Sequence, residues 1–299
     1  MAVVGATAAG KTSLSLELAE ALGGEVINTD AMQVYRGMDI GTAKLPVAER
    51  RGIPHHLLDL LEVTEPASVA EFQRLARGVI ATLRDADRVP VLVGGSALYT
   101  RAILDRFEFP GTSPQVRSRL EGELETAGEK GLHDRLRELD PVAAERIEVV
   151  NGRRVVRALE VIELTGRPFS ATLPEQVYHD PASIQIGVDI DRETLDVRIR
   201  QRVTEMFEAG FVDEVARLLE AGLATSRTAA AAIGYKEVAA YLSGSMTLPD
   251  AVERTAIKTR QFARRQDAWF RKDSRVVWVS YDDPSRVSKA IEAVRAIAG

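Results

Sequence analysis

Residues 5–12, GATAAGKT, have the spacing G-x-x-x-x-G-K-T of a phosphate-binding loop. In such a loop, backbone N–H groups surround a phosphate, the lysine adds a positive charge and the threonine hydroxyl can ligate Mg²⁺. The apolar residues 2–4 predict a short strand before the loop, and the apolar spacing in 12–22 predicts a helix after it. The helix N-terminus adds unpaired N–H groups and a positive dipole end, so the sequence predicts an anion site that uses Lys11 and Thr12.

Short apolar segments alternate with helical patterns over the next ninety residues. Residues 24–30 predict a second strand, 55–63 a third buried segment and 89–96 a continuous apolar strand. Ser68 and Glu71 have the capping-box spacing at the start of the intervening helix. This alternation predicts an α/β fold with a mostly parallel sheet flanked by helices.

Three polar features follow predicted strands: the loop 5–12, Asp30, and Gly94-Gly95-Ser96. Because ligands of doubly wound sheets bind at the carboxyl ends of strands, these features should meet at one edge. Asp30 could act there as a general base or a Mg²⁺ ligand. The segment 28–44 lacks a helical or strand period, which is typical of a binding loop.

A helical segment interrupts the α/β pattern. Residues 113–180 predict helices without a clear strand, whereas 184–191 predict a strand again. We therefore expect a P-loop-type core formed by 1–112 and 181–299, with an all-helical insertion at 113–180. The insertion carries 10 Lys/Arg against 13 Asp/Glu, so any basic surface on it must be local.

Composition excludes several classes of protein. The chain has 299 residues, no cysteine and a net charge of −5. The absence of cysteine excludes disulfides, thiolate metal sites and a cysteine nucleophile. No apolar run approaches the ~20 residues of a membrane span, and the first residues already form a strand pattern, so we expect a cytoplasmic protein without a membrane partner.

Other polar residues have simpler interpretations. His55 and His56 are adjacent and would face opposite sides of a strand, so partly buried, hydrogen-bonded side chains are favoured over a zinc site. Arg198 and Arg202 lie four apart on a predicted helix and could hold a diphosphate, although a solvated face is the alternative. The segment 259–273 is basic, and its three large aromatic residues are expected to pack inward.

Several segments occur together in a specific order: GATAAGKT, INTDAMQVYRGMDIGTAK, PHHLLD, VLVGGSALY, RRVVRALEVIELTG, AIGYKE and RQFARRQDAWFR. In this the chain resembles the bacterial tRNA dimethylallyltransferases, also called tRNA isopentenyltransferases. The resemblance extends from Gly5 to about Trp278. The segments 28–44 and 263–271 are far more specific than the phosphate loop.

The resemblance implies transfer of a dimethylallyl group from dimethylallyl diphosphate to N6 of the adenine 3′ of the tRNA anticodon. The partners would be dimethylallyl diphosphate and the tRNA anticodon stem-loop, with Mg²⁺ as cofactor on Thr12; no protein partner is implied and a monomer is expected. Asp30, Lys11, Thr12 and Arg202 would be catalytic. The diphosphate would bind Gly5, Ala6, Thr7, Ala8, Ala9, Gly10, Lys11, Thr12 and Arg202, with the backbone N–H groups of 7–12 as donors.

The resemblance also implies tRNA contacts by Asp30, Ala31, Met32, Gln33, Ser96, Arg117, Arg153, Arg154, Val155, Val156, Arg157, Ala232, Ile233, Gly234, Tyr235 and Lys236. The sequence departs from the family pattern at four of the implied positions. Ala6 and Ala9 replace proline and serine in the loop, Ala31 replaces serine, and Ser96 stands where threonine is usual. Phosphate binding by backbone donors should not depend on these side chains.

Three other functions share part of the pattern. A P-loop small-molecule kinase would have the same loop and Asp30, but the sequence has no clear arginine-bearing lid. A prenyltransferase acting on free adenine nucleotides would not need the helical insertion. A non-catalytic RNA-binding protein would leave Asp30 beside a phosphate loop unexplained.

Overall fold

The computed structural model describes residues 1–107, 109–172, 176–226 and 228–298. The strands of this part of the chain are β1 Ala2–Val4, β2 Gly24–Asn28, β3 His55–His56, β4 Val89–Val93, β5 Gln185–Asp189 and β6 Val276–Ser280. Its α-helices are α1 Lys11–Leu22, α2 Val69–Asp85, α3 Ala97–Leu104, α4 Pro114–Leu139, α5 Pro141–Arg146, α6 Gly152–Thr165, α7 Arg192–Glu208, α8 Phe211–Glu220, α9 Tyr235–Leu242, α10 Leu248–Phe270 and α11 Arg286–Ala298. Short 3₁₀ helices cover Val47–Glu49, Phe169–Thr172, Leu223–Thr225 and Ala229–Ala231.

The six strands form one sheet in the order β3-β2-β4-β1-β5-β6, and every strand pair is parallel. The predicted α/β fold with a parallel sheet is therefore confirmed. Because β1, β2 and β4 are neighbours and parallel, the segments that follow them emerge at the same edge. That edge carries the loop 5–12, Asp30 and Gly94-Gly95-Ser96, as the sequence predicts.

Two hydrophobic cores cover the two faces of the sheet. Ala2 and Val4 of β1 belong to one core, and Val3 between them belongs to the other, as the two-residue period of a strand requires. The first core includes side chains of α2, α3, α8 and α9, and the second includes side chains of α1, α7 and α11. Both faces are thus buried, which explains why the central strands β1 and β4 are continuously apolar.

The chain divides into two compact units, Met1–Leu104 with Tyr178–Gly299, and Asp105–Val177. The second unit contains α4, α5 and α6 around a core of its own. The sequence predicts a helical insertion over 113–180, which overlaps most of this unit. Within α4, Gly128 has a non-helical backbone with a φ of +71° and interrupts the helix.

Local details follow from the sequence with two exceptions. The Ser68 hydroxyl accepts a hydrogen bond from the Glu71 N–H at 3.3 Å, so the predicted cap of α2 is confirmed. The predicted buried segment 55–63 is wrong in extent, because only β3 is a strand and most of the residues after it are half-exposed. In α1 the helix starts at Lys11, one residue before the prediction.

Helix α10 contains most of the basic segment 259–273. The Thr247 hydroxyl caps α10 by accepting from the Asp250 N–H at 3.3 Å. Phe270 at its end is 1% exposed and Trp269 packs against the same core, whereas Phe262 lies half-exposed under Arg265. The inward packing predicted for the aromatic residues is therefore confirmed for two of the three. No helix in the described ranges is long and apolar enough to cross a membrane.

Candidate active site

The phosphate loop lies between β1 and α1, and its backbone is held in conformations that expose N–H groups. Gly5, Ala8 and Gly10 have φ values of +134°, +63° and +107°. A Cβ at Gly5 would lie 3.1 Å from the carbonyl oxygen of Val188 in β5, so only glycine fits without displacement. The N–H groups of the first turn of an α-helix have no carbonyl partner within the helix, and they mark the start of α1 as an anion site.

Two cations lie at this loop, and among the described residues no carboxylate forms an ion pair with either. The Lys11 Nζ donates to the carbonyl oxygen of Ala6 at 2.7 Å. Burial, and then the positive charge of Arg202, lower the pKa of Lys11 to about 8. Arg202 on α7 donates to the Thr7 hydroxyl at 3.4 Å, and burial lowers its pKa as well. Two half-buried cations that repel one another form a site that an anion would stabilise.

Arg198, one turn earlier on α7, also lies near the loop. A Cβ on Gly10 would be 4.0 Å from its Nη1 atom. The guanidinium stacks over the ring of Tyr281, with 4.4 Å between the guanidinium carbon and the ring centroid. The helical spacing of Arg198 and Arg202 therefore places both side chains on the side of α7 that faces the loop.

Asp30 lies two residues after the end of β2, and its backbone is fixed by the buried Asn28. The Asp30 N–H donates to the Asn28 Oδ1 at 2.7 Å, and the Asn28 amide donates to the carbonyl oxygens of Asp30 and Leu57. The Asp30 carboxylate accepts from the Met32 N–H at 2.8 Å. Its charge acts on both Lys11 and Arg202, where it raises the pKa against the larger effect of burial. A half-buried carboxylate thus lies within electrostatic range of both cations.

The glycines after β4 are required by close packing. A Cβ on Gly94 would lie 2.3 Å from the Thr29 hydroxyl oxygen and 2.8 Å from the Asp30 nitrogen. A Cβ on Gly95 would lie 2.1 Å from the Nε2 atom of Gln266. Ser96 comes next, half-buried at the start of α3. The close approach of these backbones brings Ser96 to the edge that carries Asp30.

Gln266 of α10 is a polar residue at this edge that the sequence did not single out. Its Oε1 accepts from the Thr7 N–H, and its Nε2 donates to the Gly95 carbonyl, both at 2.8 Å. The Ala9 N–H also has a partner, the Ala6 carbonyl oxygen at 3.3 Å, so two of the predicted diphosphate donors at 7–12 are paired within the protein. Only the position of Gln266 inside the specific segment 263–271 pointed to it.

The segment after Asp30 is anchored by a buried glutamate that the sequence also did not reveal. Glu214 of α8 is 2% exposed. Its carboxylate accepts from the N–H groups of Asp39, Ile40 and Gly41 at 2.7 to 3.1 Å, and from the Tyr235 hydroxyl at 2.6 Å. A carboxylate with several donors is stable when buried, so Glu214 fixes this loop to the core.

Lys44 anchors the same segment at its end. Its ammonium group donates to the Tyr35 carbonyl at 3.0 Å and to the carboxylates of Asp39 and Asp59 at 2.6 Å each. Closer to Asp30, the side chains of Ala31, Met32 and Gln33 are half-buried, and Gln33 donates to the Thr42 carbonyl at 3.1 Å. The predicted binding loop thus has a defined conformation, with three half-buried side chains directly after Asp30.

In 232–236 the structure corrects part of the predicted tRNA surface. Ala232 and Tyr235 are 7% and 1% exposed, and Tyr235 packs edge-on against Phe211. Burial raises the pKa of Tyr235, with the charge of Glu214 as a second cause. Gly234 is buried at a φ of +90°, Ile233 is half-buried and Lys236 is exposed. The Tyr235 side chain therefore supports the core, and Lys236 is the exposed cation of the segment.

The helical unit separates its predicted tRNA residues into two groups. Arg117 and Arg157 donate to one oxygen of Glu160 at 2.6 and 2.8 Å, and Glu160 is fully buried. Arg153 and Arg154 are exposed near the start of α6. The neighbouring Val155 and Val156 are buried in the core of the unit, so their side chains are removed from the predicted contacts.

Several cations of α10, and Arg271 directly after it, already have partners within the protein. Lys258 pairs with the buried Glu237, Arg264 with Asp196 and Arg271 with Asp189 and Asp267. These pairs leave less positive charge on α10 for an external anion such as RNA phosphate. The two adjacent histidines are partly buried and hydrogen-bonded, as expected, to Ile53 and Glu25.

Thr12 is the loop residue that could hold a metal ion. Its side chain is exposed in the first turn of α1. Within the described ranges no group of three or more His, Asp or Glu could hold a metal. This donor set fits Mg²⁺, which takes few protein oxygens and completes its shell with phosphate oxygens and water.

Comparisons with known proteins agree on one family. A sequence model of the IPP transferase family matches residues 33–273. A tRNA dimethylallyltransferase from Nocardioides sp. is 68% identical over 296 residues, covering 99% of this chain and 96% of the relative. One from Salinispora arenicola is 56% identical over 302 residues, covering 100% and 87%.

Solved structures with this fold carry related names. The tRNA isopentenylpyrophosphate transferase of Bacillus halodurans is 41% identical, with a TM-score of 0.71 and coverage of 100% of this chain and 95% of that one. A eukaryotic dimethylallyltransferase, described as acting on tRNA, is 28% identical with a TM-score of 0.83, covering 99% and 77%.

Proposed function

The chain belongs to the IPP transferase family, and from that premise we propose that it transfers a dimethylallyl group from dimethylallyl diphosphate to N6 of the adenine 3′ of the anticodon in tRNA. The observation that carries this proposal is the grouping of Lys11, Arg202 and Asp30 at one edge of the sheet. Two cations with lowered pKa values are suited to binding a diphosphate, and the carboxylate beside them is suited to accepting a proton.

The donor side of the reaction needs charge stabilisation on the leaving group. When the allylic C–O bond breaks, its electron pair passes to the diphosphate. Lys11, Arg202 and the N–H groups of the first turn of α1 would stabilise that charge where it develops. Mg²⁺ bound at Thr12 would supply further positive charge to the diphosphate oxygens. We propose that the diphosphate binds the loop 5–12 without the N–H groups of Thr7 and Ala9, which donate to Gln266 and to the Ala6 carbonyl.

The acceptor side needs a base. The N6 lone pair forms the new C–N bond, and the amine must lose one proton, which Asp30 would accept. The adenine must leave its stack to reach this carboxylate, and a single-stranded anticodon loop makes that extrusion easier than a duplex does. Ser96, Met32 and Gln33 are half-buried around the same edge, and we propose that they contact the base.

Contacts with the rest of the tRNA should come from exposed cations. We propose Arg153 and Arg154 of the helical unit and Lys236 of the core as phosphate contacts, since all three are exposed. Arg117 and Arg157 stay in the proposal as weaker candidates, because each already pairs with Glu160.

The test is transfer of label from dimethylallyl diphosphate to bulk tRNA, with AMP as a parallel acceptor. Labelled tRNA that yields N6-dimethylallyladenosine after digestion is the expected result. Equal labelling of AMP would instead favour a prenyltransferase of free nucleotides. Protection from thermal unfolding by ATP but not by dimethylallyl diphosphate would favour a kinase.

A further inference from the structure

Gln266 joins two segments of the active site that are far apart in sequence. The side chain is 5% exposed, on α10. Its carboxamide oxygen accepts from the Thr7 N–H in the phosphate loop, and its amide donates to the Gly95 carbonyl after β4, at 2.8 Å each. One planar group therefore fixes the spacing between the loops that follow β1 and β4.

The chemistry of this bridge is specific to a glutamine. Thr7 offers a donor and Gly95 an acceptor, so the bridging group must accept on one side and donate on the other. A carboxylate would place an oxygen against the Gly95 carbonyl, and a methionine of similar length would leave both backbone groups without partners. Because unpaired buried polar groups are unfavourable, the loops would shift to find other partners.

The bridge continues to Asp30 through closely packed backbone. Gly95 has no room for a Cβ, since that atom would lie 2.1 Å from the Gln266 amide. A Cβ added to Gly94 would lie 2.3 Å from the Thr29 hydroxyl oxygen and 2.8 Å from the Asp30 nitrogen, so Gly94 packs closely against both. A movement of Gly95 would therefore be transmitted through Gly94 to the backbone of Asp30.

We infer that Gln266 is a positioning residue that sets the distance between the diphosphate site and Asp30; this inference rests on the proposed function. Transfer needs the allylic carbon, N6 and the base in near-attack geometry, where a shift of about 1 Å can lower the rate on the order of 10²-fold. The Thr7 N–H is occupied by Gln266, so removal of the bridge takes no donor away from the diphosphate. The effect should fall on the rate of transfer and spare donor affinity.

The first test compares Gln266→Met with Gln261→Met, a control at an exposed glutamine of the same helix. The single-turnover rate on tRNA should fall about 10- to 100-fold in Gln266→Met and stay normal in the control. The dissociation constants for dimethylallyl diphosphate and tRNA should be unchanged in both. A normal rate in Gln266→Met, or loss of rate and donor affinity together, would overturn the inference.

The second test uses the contact between Gly95 and Gln266. Gly95→Ala should push the Gln266 amide away and reduce the rate to a similar extent. In Gln266→Ala the space is open, so adding Gly95→Ala should cause little further loss, whereas independent effects would add. Additive losses would overturn the inference, and so would failure of both Gln266 variants to fold, because that would assign the residue to stability.

These outcomes are separable from failure of the proposed function. Wild-type protein that does not prenylate tRNA refutes the proposed function itself. If the wild-type protein is active and the Gln266→Met variant transfers at the same rate, only the positioning role is refuted.

Discussion

Two pairs of basic residues, both expected to meet phosphate, are built in opposite ways. Lys11 and Arg202 lie at the phosphate loop, where burial and mutual repulsion lower the pKa of Lys11 and burial lowers that of Arg202. Arg117 and Arg157 of the helical unit share the buried carboxylate of Glu160. A cation destabilised by its surroundings is available to a ligand, whereas a cation paired inside the fold already stabilises the protein. Charge in the sequence alone does not distinguish the two.

The largest effect should come from removing a cation of the first pair. Lys11→Met should lower transfer to tRNA by about 10²–10³-fold, because charge on the leaving group loses a fixed partner. The free energy of unfolding should not fall, since the charge that is removed is half-buried and destabilised by its surroundings. Arg202→Met should behave alike, and Arg200→Met, at an exposed arginine of the same helix, is the control. Activity assays and denaturant titrations measure the two quantities. Reduced stability with a normal transfer rate would show that these cations stabilise the fold and do not serve the ligand.

Glu160→Gln should have the opposite profile. The fully buried Glu160 accepts hydrogen bonds from the side chains of Arg117 and Arg157 and from the Ser113 N–H. Burial raises the pKa of Glu160, but these hydrogen bonds outweigh it, so the pKa lies below its usual value. Loss of the charge should lower the free energy of unfolding by about 1.5–3 kcal/mol. Glu163→Gln, at an exposed pair with Arg119, should change it by about 0–1 kcal/mol. Equal effects in urea titrations would show that burial of Glu160 is unimportant.

Donor binding should depend on pH through Lys11. In the free protein the pKa of Lys11 is lowered to about 8, and a bound diphosphate should raise it by favouring the charged form. Affinity should thus be constant below pH 8 and fall up to about tenfold per pH unit above it. Calorimetry in buffers of different ionisation enthalpy should detect proton uptake on binding near pH 8. Lys11→Arg should abolish this uptake; uptake that persists would place the titrating group elsewhere.

The smallest effect concerns salt. Replacing Arg153 and Arg154 with alanine should reduce the slope of log K for tRNA against log salt by about 0.7–0.9 for each phosphate that the variant no longer neutralises. The same change at Arg117 and Arg157 should alter the slope less, because the single negative charge of Glu160 already offsets part of their positive charge. Unfolding measurements on each variant exclude a loss of structure. A larger slope change from the second pair would contradict the distinction between free and paired arginines.

The sequence predicted the fold and the edge of the site because those follow from local patterns. The spacing of 5–12, the apolar strands and the cap at Ser68 can each be recognised within a few residues of sequence. The sequence could not show that Tyr235 and Val155 face the core, because a specific motif does not say which side chains are buried.

The central claim is that Asp30 removes the proton from N6 while the cations hold the diphosphate, and Asp30→Asn tests it directly. Asparagine keeps the shape of the side chain and can still accept from the Met32 N–H, but it is not a base. The single-turnover rate of transfer to tRNA should fall about 10²–10⁴-fold, with unchanged binding of dimethylallyl diphosphate and tRNA. A near-normal rate, or a reduced rate explained by weaker binding of either substrate, would contradict the assignment of Asp30 as the base.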